Sequence, residues 1–148
     1  MKLTLVLMLC FVSLTSGESF RLKTSNTNTQ ALILSAGVVV DQERKKFSVY
    51  MDVKNVGAKP IQGFKWEYET NDGGNGDFLR TVTTGTTVCP KPLQPNKHQK
   101  FSLLNDQTVK QNELDEWSRR VTIRNGSVRI TGLQFTDGSQ WVAPSADN

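Results

Sequence analysis

The sequence predicts an all-β domain, an antiparallel two-sheet β-sandwich of about seven short strands with at most one short helix. Three observations carry the prediction. Several stretches alternate apolar and polar residues with the period of two that a half-buried strand requires. Turn-forming Gly, Pro, Asn and Asp separate them about every 8 to 12 residues. Helical spacing of apolar residues occurs in one polar segment only, through Leu114 and Trp117 within 105–118.

The chain opens on a three-part export signal. Lys2 supplies a positive start, Leu3 to Leu14 is an apolar run interrupted only by Thr4 and Ser13, and Thr15-Ser16-Gly17 offers small residues for cleavage. That run falls short of the roughly 30 Å a membrane helix must cross. Residues 1–17 are therefore expected to be a signal peptide, 18–30 a flexible lead-in, 31–143 the β-domain and 144–148 a tail. No membrane span is expected after cleavage. Cys10 lies in the apolar run, but "LMLC" lacks the small residue that precedes a lipid-modified cysteine, which disfavours a lipid anchor. A secreted or periplasmic location follows.

Strand by strand, "ALILSAGVVV" (31–40) is apolar and β-branched. "KFSVYMDVK" (46–54) sets Phe47, Val49, Met51 and Val53 against Lys46, Ser48, Asp52 and Lys54. The polar run between them closes a first hairpin. "NVGAKP" is a turn, and "IQGFKWEYE" follows with Phe64, Trp66 and Tyr68 on one face. Ile61 has the wrong parity for that face, so Gly63 is the place for a bulge. "DFLRTVTTGTTV" is a threonine-rich strand, as strands often are. "CPKPLQPNK", with Pro90, Pro92 and Pro95, is read as an extended connector, because proline donates nothing to a ladder. "KHQKFSLL" resumes the alternation through Phe101 and Leu103.

Two hairpins are expected near the end. Asn125-Gly126 is a two-residue turn signal that would pair Ile123 with Val128 and Val121 with Ile130. At Asp137-Gly138 a two-residue turn would leave Trp141 on the polar face. A three-residue loop Thr136-Asp137-Gly138, with Gly138 left-handed, sets Trp141 opposite Leu133 and buries it; this is the arrangement expected.

Composition narrows the function. Eighteen Lys and Arg against 14 Asp and Glu give a formal net charge of +4. The basic groups, Arg44-Lys45-Lys46 and Arg119-Arg120, are flanked by acids (Asp41, Glu43; Asp115, Glu116), so no nucleic-acid surface is expected. Past the signal Cys89 stands alone, which leaves no intrachain disulfide and no cysteine-based zinc site; burial as a small apolar residue is expected for it.

A Trp in mid-strand fits the immunoglobulin-like form of the sandwich, though the paired cysteines of antibody domains are absent. "FSVYMDVKNVGAKPIQGFKWEY", "LQPNKHQKFSL" and "VRITGLQFTDGSQW" together resemble the small exported immunoglobulin-like modules of bacteria, including cell-adhesion-related domains. In those a strand ending in Asn-x-Gly leads into an aromatic-bearing strand, and a Pro-Gly-like turn opens a later one. The resemblance spans roughly residues 31 to 142 and departs at Pro95-Asn96, where such modules usually carry Pro-Gly. It implies a binding or spacer role and brings no catalytic residues.

Catalytic signatures are sparse. His98 is the single histidine, on the face away from Phe101, and no G-x-S-x-G, H-E-x-x-H or P-loop pattern occurs. The loop "NDGGNGD" offers Asp72, Asn75 and Asp77 as hard oxygen ligands, so calcium is the one cofactor it suggests. Its "GGNGD" is a single, shortened copy of a calcium β-roll repeat, however, and the same glycines suit a plain hairpin tip. The Asn125-Gly126-Ser127 sequon is equally explained as a turn. For a carbohydrate the candidates are the aromatics, with Tyr50 on a polar face and Trp117 in the polar segment, whereas Trp66 and Trp141 align with core faces. The expected function is a non-catalytic binding or structural module for a protein partner, through loops or a sheet edge. The alternative is a carbohydrate-binding module for a polysaccharide, and a hydrolytic enzyme comes third.

Overall fold

The computed structural model describes residues 18–26, 28–41, 43–72, 79–108 and 126–144. These form nine strands: β1 (Glu18–Arg21), β2 (Lys23–Ser25), β3 (Ala31–Asp41), β4 (Lys46–Asn55), β5 (Ile61–Asp72), β6 (Leu79–Leu93), β7 (His98–Thr108), β8 (Ser127–Phe135) and β9 (Gln140–Val142). One sheet has the order β1-β3-β4-β7 and the other β2-β8-β5-β6, with β9 also paired to β8. The all-β class is as expected, with nine strands rather than seven and no helix among the described residues. Nor is any helix there long and apolar enough to cross a membrane.

The two sheets meet in one core. Ala36, Val38 and Val40 of β3 and Val49, Met51 and Val53 of β4 face Phe64, Trp66 and Tyr68 of β5 and Val128, Ile130 and Leu133 of β8, all of them buried. Phe64 meets Phe101 of the opposite sheet edge to face, with ring centroids 5.0 Å apart. An edge-to-face approach sets the positive rim of one ring against the negative face of the other. The expected parity of β4 and β5 therefore holds.

Segment 18–30, expected as a flexible lead-in, is instead part of the fold. β1 pairs antiparallel with β3 and β2 pairs with β8, the one parallel pairing among the described residues, so the chain changes sheets at Leu22. Leu22 is buried and Phe20 packs on the core, and these two apolar side chains fix an otherwise polar segment. The Asn-rich stretch after β2 supplies caps: Asn26 Oδ1 accepts from Ile33 N at 2.8 Å and Asn28 Oδ1 from Gln30 N at 3.0 Å.

Turn chemistry explains the connections. β3 and β4 form the expected hairpin, Asp41 opposite Lys46. The ladders of β5 slip between Ile61 and Gly63, as the parity of Ile61 required. Between Gln94 and Lys97 a turn closes through Lys97 N to Gln94 O at 3.1 Å, with Asn96 at φ 63°. Pro at the second turn position and a left-handed residue at the third describe a type II turn, so Asn96 does what glycine does in a Pro-Gly turn. At the β8–β9 turn Gly138 has φ 82° and Leu133 faces Trp141, the three-residue loop expected.

Three expectations are corrected. Of the polar segment 105–118, where helical spacing places the one short helix, residues 109–118 lie outside the described residues, but Asn105–Thr108 continue β7, with Phe47 paired to Gln107 and Lys46 to Thr108. Register shifts in that ladder break the alternation and hide the strand. "CPKPL" is not a connector outside the sheet. It closes β6, where Gly63 pairs with Val88 and Ile61 with Leu93, so Cys89 to Pro92 bulge out of the ladder at the sheet edge. An edge bulge is where prolines are tolerated. Residues 121–125 lie outside the described residues, but at Ser127–Arg129 β8 is paired on one side by β5 and on the other by β2. No edge is left there for the Asn125-Gly126 hairpin pairing of Ile123 with Val128.

Asn55, fully buried, joins two of the crossings between sheets. Its Nδ2 donates to Leu93 O and Lys59 O, each at 2.8 Å, and its Oδ1 accepts from Gly57 N at 3.0 Å. Its backbone N donates to Lys97 O and its carbonyl accepts from Asn96 N. The Asn-x-Gly and Pro-Asn turns of the sequence thus meet in space through one side chain and its own backbone.

Candidate functional site

The candidate site is built on β6. Within the second sheet β6 lies at the end of the order and pairs only with β5 among the described residues. From Thr81 to Cys89 it carries no charged residue. Its side chains separate by parity into an outward row, Val82, Thr84, Thr86 and Val88, all exposed, and an inward row, Thr83, Gly85 and Thr87, half-buried. Val88 is 69% exposed and Val82 42%. Val88 exceeds every other large apolar side chain exposed among the described residues. The inward row is covered by β5. The Trp66 ring lies over Gly85, where any side chain would collide with it, and Trp66 Nε1 donates to Thr87 Oγ1 at 3.1 Å.

Edges of this kind are normally blunted by charge, proline or brevity, because their free N–H and C=O groups template a further strand. The other edges here are blunted: β1, β2 and β9 have only 4, 3 and 3 residues, and β7 carries Lys100 and His98. β6 is 15 residues long, and its prolines lie beyond the uncharged run. Cys89 ends that run as a buried thiol, which burial pushes above its ordinary range while the Leu93 backbone N–H works the other way. Its burial agrees with the expectation for it.

A scan against protein-family models, a search of curated proteins and a search of solved structures each return no match.

The residues singled out in the sequence fare differently. Asn75 and Asp77 lie outside the described residues, as does the side chain of Asp72, whose backbone pairs with Leu79 at the end of the β5–β6 hairpin. Among the described residues no three His, Cys, Asp or Glu side chains gather as metal ligands. Trp117 is likewise outside them. Tyr50 is half-buried on the outer face of the first sheet, its ring against Gly37 and Lys100 Nζ 3.8 Å from its centroid. An ammonium over the ring is a cation–π contact and occupies the surface a pyranose would stack on. Trp66 is in the core and Trp141 packs on it.

Two polar constellations escaped sequence reasoning. His98 Nδ1 lies 3.1 Å from Asp52 Oδ1, a pair made by β4–β7 pairing, which brings together residues far apart in the chain. Both groups sit on an open face, and among the described residues no hydroxyl hydrogen-bonds His98. Lys59 Nζ stands 2.7 Å from Asp137 Oδ2 and 2.9 Å from Ser139 Oγ, while Asp137 Oδ1 accepts from Ser139 N at 2.9 Å. The Lys59 and Ser139 hydrogen bonds hold the Asp137 carboxyl well below the usual carboxylate range. This cluster ties the β8–β9 turn to the β4–β5 crossing, where Thr136 N also donates to Pro60 O.

A shallow groove crosses the outer face of the second sheet, lined by Lys65, Thr86, Gln134 and Gln140 over Gly132. Beside it Arg129 holds Glu67 through Nε and Nη2, each at 3.1 Å from a carboxylate oxygen.

Proposed function

We propose that the protein is an exported, non-catalytic binding module that recognises a protein partner by adding a strand to the free edge of β6. One observation carries the reading: an uncharged, threonine- and valine-rich stretch from Thr81 to Val88 stands, among the described residues, at the end of its sheet with an exposed outward row. In strand addition the main-chain groups supply affinity, and alternate side chains supply selectivity. Here the selecting row is Val82, Thr84, Thr86 and Val88. Export rests on the signal-like residues 1–17, and a secreted or periplasmic setting follows from them.

The finer architecture belongs to the same proposal. An immunoglobulin-like sandwich is supported by the N-terminal strand that changes sheets, by the path from β4 through β5, β6 and β7 to β8, and by the buried mid-strand Trp66. The β3–β4 hairpin within one sheet departs from it, since the second and third strands of that fold lie in different sheets. The second reading, a carbohydrate-binding module, draws on the amide-lined groove at Gln134 and Gln140, whereas Tyr50 counts against it because Lys100 covers its ring.

The test is amide hydrogen exchange, residue by residue, on dilute chain. In a strand with one free edge every second amide points away from its neighbour, so alternate amides of Thr81–Val88 are expected to exchange fast and the others slowly. Uniform protection in dilute chain that persists when the outward row is charged by Val82→Lys with Val88→Lys would mean the edge is covered from within, and would end the proposal.

A further inference from the structure

The uncharged stretch of β6 reads Val82-Thr83-Thr84-Gly85-Thr86-Thr87-Val88, the same in both directions about Gly85. Two copies of a strand pair antiparallel about a two-fold axis, and the axis sets residue i opposite the residue equally far on the other side of the centre. For most sequences that brings unlike residues together. Centred on Gly85, this strand brings Val82 opposite Val88, Thr83 opposite Thr87 and Thr84 opposite Thr86 of the second copy, and Gly85 opposite itself. From this geometry we propose that the occupant of the β6 edge is a second copy of this chain, joined through antiparallel β6–β6 pairing centred on Gly85. The proposal rests on the strand-addition reading of the same edge and names its partner.

Side-chain chemistry suits this register. The two exposed valines, at 42% and 69%, cover each other twice across the axis. Threonine–threonine and β-branched pairs directly opposite each other are favourable cross-strand neighbours. Within the paired stretch Val82–Val88 the register meets no charged residue. A slip of one residue along one chain moves the centre between Gly85 and Thr86 and sets Val88 of the outward row opposite Thr83 of the inward row, so the faces of the two strands no longer match. At the centre Gly85 brings no side chain to the pairing, and the Trp66 ring of its own chain lies over it. The second sheet then runs unbroken through both copies, and neither keeps an open β6 edge.

The experiment is sedimentation of the purified chain and of two double variants, with hydrogen exchange on each. The wild type is expected to dimerise. Val82→Lys with Val88→Lys sets lysine opposite lysine at both ends of the register and is expected to weaken association at least tenfold, with alternate β6 amides becoming fast-exchanging. Val82→Glu with Val88→Lys sets glutamate opposite lysine at those same ends and is expected to restore association, less well as salt is raised. Both positions are exposed, so the fold tolerates the changes; unaltered thermal melts of the variants check this. Wild type that stays monomeric to millimolar concentration, with alternate β6 amides exchanging fast, overturns self-pairing and leaves strand addition for another partner. A dimer indifferent to the lysine pair uses a different surface, which overturns the proposal. A dimer lost in both double variants has a different register, which overturns the centring on Gly85. Slow exchange throughout β6 in a monomeric lysine variant overturns the strand-addition reading itself.

Discussion

Asn55 offers the most direct test of how the two sheets are joined. Alanine there deletes three side-chain hydrogen bonds, to Leu93 O, Lys59 O and Gly57 N, and leaves the backbone bonds to Lys97 and Asn96 in place. A neutral hydrogen bond contributes about 0.5–1.5 kcal/mol net, and a buried group left unpaired costs about 1–3 kcal/mol. Leu93 O is the buried acceptor, and the other two partners sit near solvent and recover water. The expected loss for Asn55→Ala is therefore about 3–4 kcal/mol. For a domain of this size that lowers the melting midpoint by roughly 10–15 °C. Urea unfolding followed by the fluorescence of buried Trp66 measures the loss, with an unchanged slope expected.

Asn55→Asp sharpens the test because it preserves shape. The new carboxylate still accepts from Gly57 N but turns an oxygen, instead of an NH₂, toward the carbonyls of Leu93 and Lys59. Burial and those two acceptors both favour the protonated acid, so its folded pKa stands above the unfolded value of about 3.9. A group with a raised folded pKa keeps its contribution below the unfolded value and loses it as pH rises through the folded one. Relative to wild type, the aspartate variant is thus expected to lose least at pH 3–4 and most at neutral pH, the reverse of ordinary acid unfolding. A cost below about 1 kcal/mol for alanine, or an aspartate cost that is flat from pH 4 to 8, would refute the role assigned to this side chain.

Three further expectations follow from single groups. Among the described residues the buried Tyr68 hydroxyl has no hydrogen-bond partner, and burial raises its pKa, so Tyr68→Phe is expected to cost nothing or to stabilise by about 1 kcal/mol. The raised value means that stability linked to the neutral phenol is complete below the unfolded pKa and lost as pH climbs through the folded one; alkaline melts should therefore be flatter for the phenylalanine variant. Asp137 has a lowered pKa, so its contribution is complete above the ordinary carboxylate range and lost as pH falls through the folded value. Melts of Asp137→Asn from pH 7 to pH 2 are expected to begin lower than wild type and to converge with it in acid. Millimolar calcium against chelator is expected to leave the midpoint unmoved. A ligand at ten times its dissociation constant adds about 1.4 kcal/mol, so a rise of several degrees abolished by Asp72→Ala or Asp77→Ala would instead make the β5–β6 hairpin a metal site.

What was legible in the sequence is what local chemistry determines. The β8–β9 loop could be read to the residue because only one loop length buries Trp141 beside Leu133, and Gly138 supplies the left-handed conformation it needs. The bulge at Gly63 followed from the parity of Ile61, and the β3–β4 hairpin from an apolar, β-branched run and a cleanly alternating one on either side of a polar turn. What stayed hidden was decided by partners far along the chain. β1 and β2 look like a polar lead-in because only Phe20 and Leu22 reach the core, and their ladders come from β3 and β8. At Ser127–Arg129 β8 has β5 and β2 on its two sides, neighbours that no local signal in the sequence announces.

The candidate site divides along the same line. The palindrome Val82–Val88 stands in plain view as letters, but on a central strand with neighbours on both sides it would carry no consequence. It gains one only because β5 takes one side of β6 and no described strand takes the other, with both valines turned outward by parity. Pairwise chemistry on that row is symmetric, so whatever favours one contact across the axis favours its mate equally, and the self-pairing has two chances for each interaction that a foreign strand has once. For a foreign strand to compete, it must match the Val-Thr-Thr-Val row and bring no charge against Arg80 or Lys91 of the same sign. Acidic residues flanking a β-branched core would meet that condition, and a peptide of that design competing with self-association would measure how selective the edge is.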